Sequence, residues 1–196
     1  MPKRRSLARI KRSGLADVLE RCTLAGFKAD TDWRQAAKQK AVDFLRDDTG
    51  AWFAAMGSVG AGKSHLCTAI CGELLNAGKE VRYMLWRDEA VRLKGCVNDR
   101  EDYTRLIEPI KRVQVLCIDD FFKGQKGRDV TPADVNLAFE ILNYRYVNRR
   151  LVTILSSEKT IEEILDIDEA VGSRIFERCK GHYVKFVGKE NWRLRA

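Results

Sequence analysis

Eight consecutive residues, Gly57-Ser58-Val59-Gly60-Ala61-Gly62-Lys63-Ser64, fit the spacing G-x-x-x-x-G-K-[ST], a pattern whose residue types suit a polyphosphate. The glycines let the chain curl until its N–H groups face the α- and β-phosphates, and the start of a following helix adds partial positive charge. Lys63 can then reach the β- and γ-phosphates while the Ser64 hydroxyl ligates magnesium. His65 closes the stretch and is read as a residue of that helix rather than a catalyst. A glycine turn without a ligand is the plain alternative, and the position between a strand and a helix argues against it.

About 55 residues further on, the apolar run Val115-Leu116-Cys117-Ile118 ends in Asp119-Asp120. After a phosphate loop, the first carboxylate would hold magnesium through water and the second would orient or deprotonate an attacking water. Without that loop, two acids ending a strand are a solvated turn. ATP is favoured over GTP, because no Asn is followed by Lys, as a guanine-reading N-K-x-D motif requires. Past the next strand, Ser156, Ser157 and Glu158 offer polar side chains to the γ-phosphate or the water. The segment Gly172-Ser173-Arg174-Ile175-Phe176-Glu177-Arg178 sets two arginines one turn apart on one helix face. They either supply charge to phosphoryl transfer, a role that contributes about 10³ to 10⁵ in rate elsewhere, or lace a surface helix with Arg–Glu pairs.

The elements that must position these groups are legible in the apolar pattern. Leu15 to Cys22 reads as a short helix and Trp33 to Leu45 as a longer one, with Ala36, Ala37, Ala41, Phe44 and Leu45 on one stripe. Ala51 to Met56 has strand length, and Lys63 to Ala77 follows as a helix that stops at Gly78. Val81 to Leu85, Val113 to Ile118, Leu151 to Ser156 and His182 to Val187 read as further strands. Helices are expected over Arg87 to Val97, from the Thr131-Pro132 start through the stripe Val135, Ala138, Phe139, Leu142 and Tyr146, and over Ala170 to Cys179. Alternating strand and helix predict an α/β fold with a mostly parallel sheet covered on both faces.

With 196 residues, 45% of them hydrophobic, the chain has room for one such domain and a short appendage. Its longest purely apolar run, Ala51 to Met56, is far short of a membrane span, and Asp17 and Glu20 interrupt the basic start before a signal-peptide core can form. The expectation is a soluble, cytoplasmic protein with no membrane partner. The six cysteines form no C-x-x-C pair, which suggests reduced, mostly buried thiols. The net charge of +8 sits at the two ends: residues 1–12 hold six basic and no acidic side chains, and residues 178–196 hold six basic against Glu190. Such ends either contact nucleic-acid phosphates or are simply solvated.

The order of phosphate loop, Asp-Asp strand, Ser-rich strand end, G-S-R-x-x-x-R helix and W-R-L-R terminus resembles the AAA+ ATPase module of bacterial and phage replicative helicase loaders of the DnaC/DnaI type, with IstB-like transposition ATPases as close relatives. Tyr83-Met84-Leu85-Trp86-Arg87 and Cys117-Ile118-Asp119-Asp120-Phe121-Phe122 share the likeness, which covers about Thr23 to Arg195. The resemblance implies a P-loop NTPase of the AAA+/ASCE kind with a five-stranded sheet, the fourth strand inserted between the first and third, and little or no C-terminal lid. It makes Arg178 the arginine finger, Arg174 its neighbour or substitute, Arg193 the sensor-2 arginine and Ser157 the approximate sensor 1. Here the sensor-1 stretch reads Ser156-Ser157-Glu158, where relatives often have Thr-Ser-Asn. Residues 1–22 are expected to be a basic appendage and 23–196 the ATPase domain, whereas loaders of this family carry a separate N-terminal domain that grips the helicase.

The function expected is an ATP- and magnesium-dependent module of a helicase loader that self-associates around single-stranded DNA, as an oligomer or helical filament, and delivers a hexameric helicase. ATP and ADP would be its nucleotides. Lys123, Lys126 and Arg128, or Arg145, Arg149 and Arg150, would meet the DNA, with Tyr144, Tyr146 and Phe122 near those charges. An IstB-like transposition helper is the alternative within the class. A small-molecule kinase, or a nucleotide-switched binding module without turnover, is the alternative from outside it.

Overall fold

The unbroken apolar runs Phe53 to Met56 and Val115 to Ile118 require cover on both faces of their strands, and the molecule supplies it. The computed structural model describes residues 15, 18–19, 21–124 and 129–186. In chain order they form α1 (Asp32–Arg46), β1 (Phe53–Gly57), α2 (Lys63–Asn76), β2 (Val81–Leu85), α3 (Trp86–Gly95), α4 (Arg100–Arg112), β3 (Val115–Asp119), α5 (Pro132–Val147), β4 (Val152–Ser157), α6 (Ile161–Ile167), α7 (Glu169–Arg178) and β5 (Tyr183–Phe186). The sheet order is β2-β3-β4-β1-β5, and every pairing is parallel. The fourth strand thus lies between the first and the third, and the C-terminal ends of β1, β3 and β4 meet along one edge.

Strand alternation divides the core into two layers. Ala54, Met56, Leu116, Ile118 and Leu155 face α3 to α7, while Phe53, Ala55, Val115, Cys117 and Ile154 face α1 and α2. Leu15, Val18 and Leu19 pack into the second layer, so apolar residues ahead of position 22 share the core of the residues after it. There Leu19 N–H donates to Leu15 O and Cys22 N–H to Val18 O, the spacing of a helical turn. Cys67, Cys71, Cys117 and Cys179 are buried and all six thiols are free. Among the described residues no helix is long and apolar enough to cross a membrane.

The helix ends follow local chemistry. At the end of α2, Gly78 takes φ 87° and its N–H donates to Leu75 O while Lys79 N–H donates to Leu74 O, a Schellman closure. Thr131 and Asp134 form a capping box at the start of α5, with Pro132 in its first turn. Two helices, α4 and α6, were not among the sequence expectations. The former is dense in charge and carries Pro109 in its last turn, and the latter is only seven residues long.

One expected stripe is displaced. Helix α5 buries Leu137, Ala138, Ile141, Leu142 and Arg145, leaving Phe139 partly exposed. Arg145, expected among the DNA contacts, has no solvent exposure. Its Nε donates to Thr153 Oγ1 at 2.9 Å, Nη1 to the carbonyls of Ile110, Lys111 and Val113 at 3.2, 2.9 and 2.9 Å, and Nη2 to Val152 O at 2.6 Å. Burial works against its charge, and five acceptors offset that cost. Arg145 is a structural clamp. Phe122, also expected near the DNA, lies in the core against Trp86.

Candidate active site

The loop between β1 and α2 is shaped by its glycines. Gly57 takes φ 112°, and a Cβ there would lie 2.4 Å from Phe186 O; Gly62 takes φ 104° with Phe27 packed against its open side. Among the described residues, the amides of Gly60, Ala61, Gly62 and Lys63 donate to no protein acceptor. They converge where α2 begins, the arrangement that binds phosphate. Ser58, Val59 and Ser64 complete the loop at its partly or fully exposed rim. His65 Nε2 bonds Thr23 O at 2.9 Å and its ring meets Phe27 edge-on, so it ties the segment ahead of α1 to the loop.

Lys63 folds back over the loop, 5% exposed, donating to Gly57 O at 2.8 Å and Ser58 O at 2.7 Å. Burial lowers its pKa, and the charges of Glu158, Asp120 and Asp119 push it back up. These carboxylates come from neighbouring strand ends. Asp119, the last residue of β3, is buried, with Oδ2 accepting from Tyr83 OH at 2.6 Å and Oδ1 accepting from Ser156 Oγ. Burial and then the Asp119 charge raise the Tyr83 phenol well above its ordinary range, which keeps it a donor.

Asp120 begins a turn, with φ 54°; its N–H donates to Ser156 Oγ at 3.0 Å and its Oδ2 accepts from Lys123 at 3.0 Å. Ser156 therefore joins both aspartates. Ser157, the residue the resemblance assigns as sensor 1, instead donates to Phe121 O at 2.7 Å and accepts from Lys159 N–H at 3.1 Å, bracing the chain beyond β3. Tyr83 and Lys123 have no role at this site in the sequence expectations. Tyr83 lies in an apolar strand pattern, and its distance in sequence from Asp119 hides the pairing, which only the parallel register Leu85↔Asp119 brings about.

The arginines are placed differently from expectation. Arg178 is 5% exposed, and its Nη2 donates to Gly50 O, to Arg149 O at 2.9 Å and to Leu151 O at 3.5 Å, with the guanidinium over Trp52. It sits at the N-terminal end of β1, one strand length, about 16 Å, from its own phosphate loop. As found, Arg178 holds three carbonyls. Arg174 is half-buried on the α5–α7 face, its Nε donating to Asn143 Oδ1 at 3.0 Å and Nη1 to Ala170 O at 2.7 Å, with the guanidinium over Phe139 and Tyr146. Arg149 pairs with Glu177, and Lys123 with Asp120 and Glu158. Arg150 is exposed, and Tyr144 lies under Lys111 and Arg112. Arg193, Lys126 and Arg128 lie outside the described residues, as do the basic residues of positions 1–12.

The residues fit a magnesium-bound nucleoside triphosphate: a cradle of free amides, one buried ammonium, a hydroxyl at Ser64 and a carboxylate whose oxygens keep spare lone pairs beyond their single donors.

Comparison with known proteins agrees with that geometry. The family model described as IstB-like ATP binding protein matches residues 4–196. The uncharacterized protein YqaM of Bacillus subtilis (strain 168) is 33% identical over 195 residues, a match covering 93% of this chain and 60% of that protein. The replicative helicase loader DnaC of Escherichia coli (strain K12) is 30% identical over 172 residues, covering 86% of this chain and 67% of the loader. The crystal structure of the DnaC helicase loader superposes with a TM-score of 0.71 at 20% identity, covering 85% of this chain and 97% of that one, so the two share a fold. The chain spans about 60% of the length of the Bacillus relative.

Proposed function

Because the chain belongs to the IstB-like ATP-binding protein family, we propose that it binds and hydrolyses ATP with magnesium as the AAA+ motor of a replicative helicase loader. The observation that carries this reading is the open phosphate cradle of Gly57–Ser64 facing Asp119, Asp120 and Glu158 across the end of the sheet. The loop amides and Lys63 bind the phosphates, Ser64 and Asp119 hold magnesium, and Asp120 orients the water or takes its proton. Magnesium held there would supply charge neutralisation to the phosphates. Tyr83 and Ser156 keep Asp119 aimed. No intermediate on the protein is needed, since the attack is by water.

The loader role is supported by the 30% identity to DnaC, with single-stranded DNA and a hexameric helicase as partners and self-association as the working state in the cytoplasm. DNA contact is assigned to Arg150 and Arg149 beside Tyr144 and Tyr146, since Arg145 and Phe122 are interior. Arg174 replaces Arg178 as the arginine that a neighbouring subunit receives.

Turnover of ATP measured with and without a single-stranded oligonucleotide, at low and high salt, tests the reading. Slow hydrolysis that the oligonucleotide changes at low salt, with the effect fading as salt competes for phosphates, is expected. Transfer of phosphate to a nucleoside or metabolite, indifferent to DNA, would instead identify a kinase. Binding without turnover would leave a nucleotide switch.

A further inference from the structure

The turn that leaves β3 holds a cation at the mouth of the phosphate loop. Lys123 N–H donates to Asp120 O at 3.0 Å, and both Asp120 and Phe122 take left-handed backbone angles, with φ 54° and 57°. For residues other than glycine such angles are unfavourable. The turn is held against that cost. The rings of Phe121 and Phe122 stack at 4.1 Å and bury against Trp86, and Phe121 N–H donates to Ser156 O at 2.7 Å.

Lys123 is thereby fixed with its Nζ 3.0 Å from Asp120 Oδ2 and 2.7 Å from Glu158 Oε1. The register Met56↔Ser157 sets the next residues, Gly57 and Glu158, side by side at the start of the phosphate loop. Glu158, Asp120 and Lys123 all act on the Lys63 ammonium, so two lysines and two carboxylates share one partly solvated opening. Packing of the two rings holds the turn, and the ion pairs of Lys123, about one third exposed, add little stability themselves. A triphosphate in this opening would also bring its last phosphate against Glu158 and Asp120, a like-charge encounter that Lys123 can relieve beside Lys63, the loop amides and magnesium.

We propose that Lys123 reads the γ-phosphate: without nucleotide it is neutralised by Asp120 and Glu158, and a third phosphate takes it over, releasing those carboxylates toward the attacking water. Glu158 then joins Asp120 as a water-facing carboxylate. The inference rests on the reading of Gly57–Ser64 as a nucleotide site.

Calorimetric titration with AMPPCP and with ADP, both with magnesium, tests it. Lys123→Met should weaken AMPPCP about tenfold, the loss of one charge-assisted bond, and change ADP by less than about twofold. Lys123→Arg should keep most of the preference. If Lys123→Met does not fold, the Asp120→Asn/Glu158→Gln double variant replaces it, and freeing Lys123 should raise the AMPPCP-to-ADP affinity ratio. Equal shifts for the two nucleotides, no shift, or an unchanged ratio in the double variant overturn the proposal. Lys63→Ala separates the two levels: loss of both nucleotides keeps the phosphate-loop assignment whatever Lys123→Met does, and unchanged binding of both removes that assignment and this inference together.

Discussion

Asp119 and Asp120 are adjacent in sequence and face different surroundings. Asp119 is enclosed, with one oxygen on the Tyr83 phenol and the other on Ser156, whereas Asp120 turns outward on a left-handed backbone toward Lys123. A buried, aimed carboxylate suits a metal, and an outward one suits water. Asp119→Ala should therefore weaken magnesium-dependent ATP binding about tenfold or more, while Asp120→Ala keeps ATP bound and stops turnover; equal loss of binding in both variants would mean the roles are misassigned. Tyr83 gives this pair a pH signature. Its phenol titrates higher in the folded than in the unfolded chain, so the folded state holds more protons above pH of about 10 and stability falls as pH rises through that range. Tyr83→Phe should flatten the alkaline limb of a plot of unfolding free energy against pH, measured in urea, and an unaltered limb would show that burial and Asp119 do not raise the phenol.

Helices and strands that place these residues were legible wherever apolar spacing was regular. The strand before the phosphate loop, the Gly78 stop and the Thr131-Pro132 start all follow from local rules, and each is found within a residue or two of its expected place. Two helices were missed for different reasons. In α4 the apolar residues Tyr103, Leu106, Ile107 and Ile110 are outnumbered by charges and interrupted by Pro109, while α6 carries its signal in the capping box of Thr160 and Glu163 rather than in length. The α5 stripe was displaced because an arginine takes an interior position, which no hydropathy pattern encodes. At the site, the phosphate loop and Asp119-Asp120 were legible as contiguous motifs, but Tyr83, Ser156 and Lys123 owe their places to register and turn geometry. Arg145 ties α5 to the end of α4 and to β4 at once, so Arg145→Met should cost about 3–5 kcal/mol in urea unfolding by stranding buried carbonyls. A loss below about 1 kcal/mol would mean that the clamp is not formed in solution.

The whole molecule places its nucleotide cradle at one end of the sheet and Arg174 on the α5–α7 face, where Asn143 and Ala170 O accept from the guanidinium over Phe139 and Tyr146. The proposed completion of the site by a neighbour's Arg174 requires two copies, so activity per subunit should rise with protein concentration. Arg174→Ala and Lys63→Ala proteins, each inactive alone, should regain part of their ATPase when mixed. A mixture that stays inactive while wild-type protein assembles assigns Arg174 a structural role. These expectations all presuppose that the glycine loop with its free amides is where a triphosphate binds. Calorimetric titration of magnesium-ATP into the wild-type chain and into Lys63→Ala tests that most directly. One nucleotide bound per wild-type chain, and none detectable in the variant at unchanged far-ultraviolet circular dichroism, is the predicted result; wild-type affinity and stoichiometry retained in Lys63→Ala would contradict it.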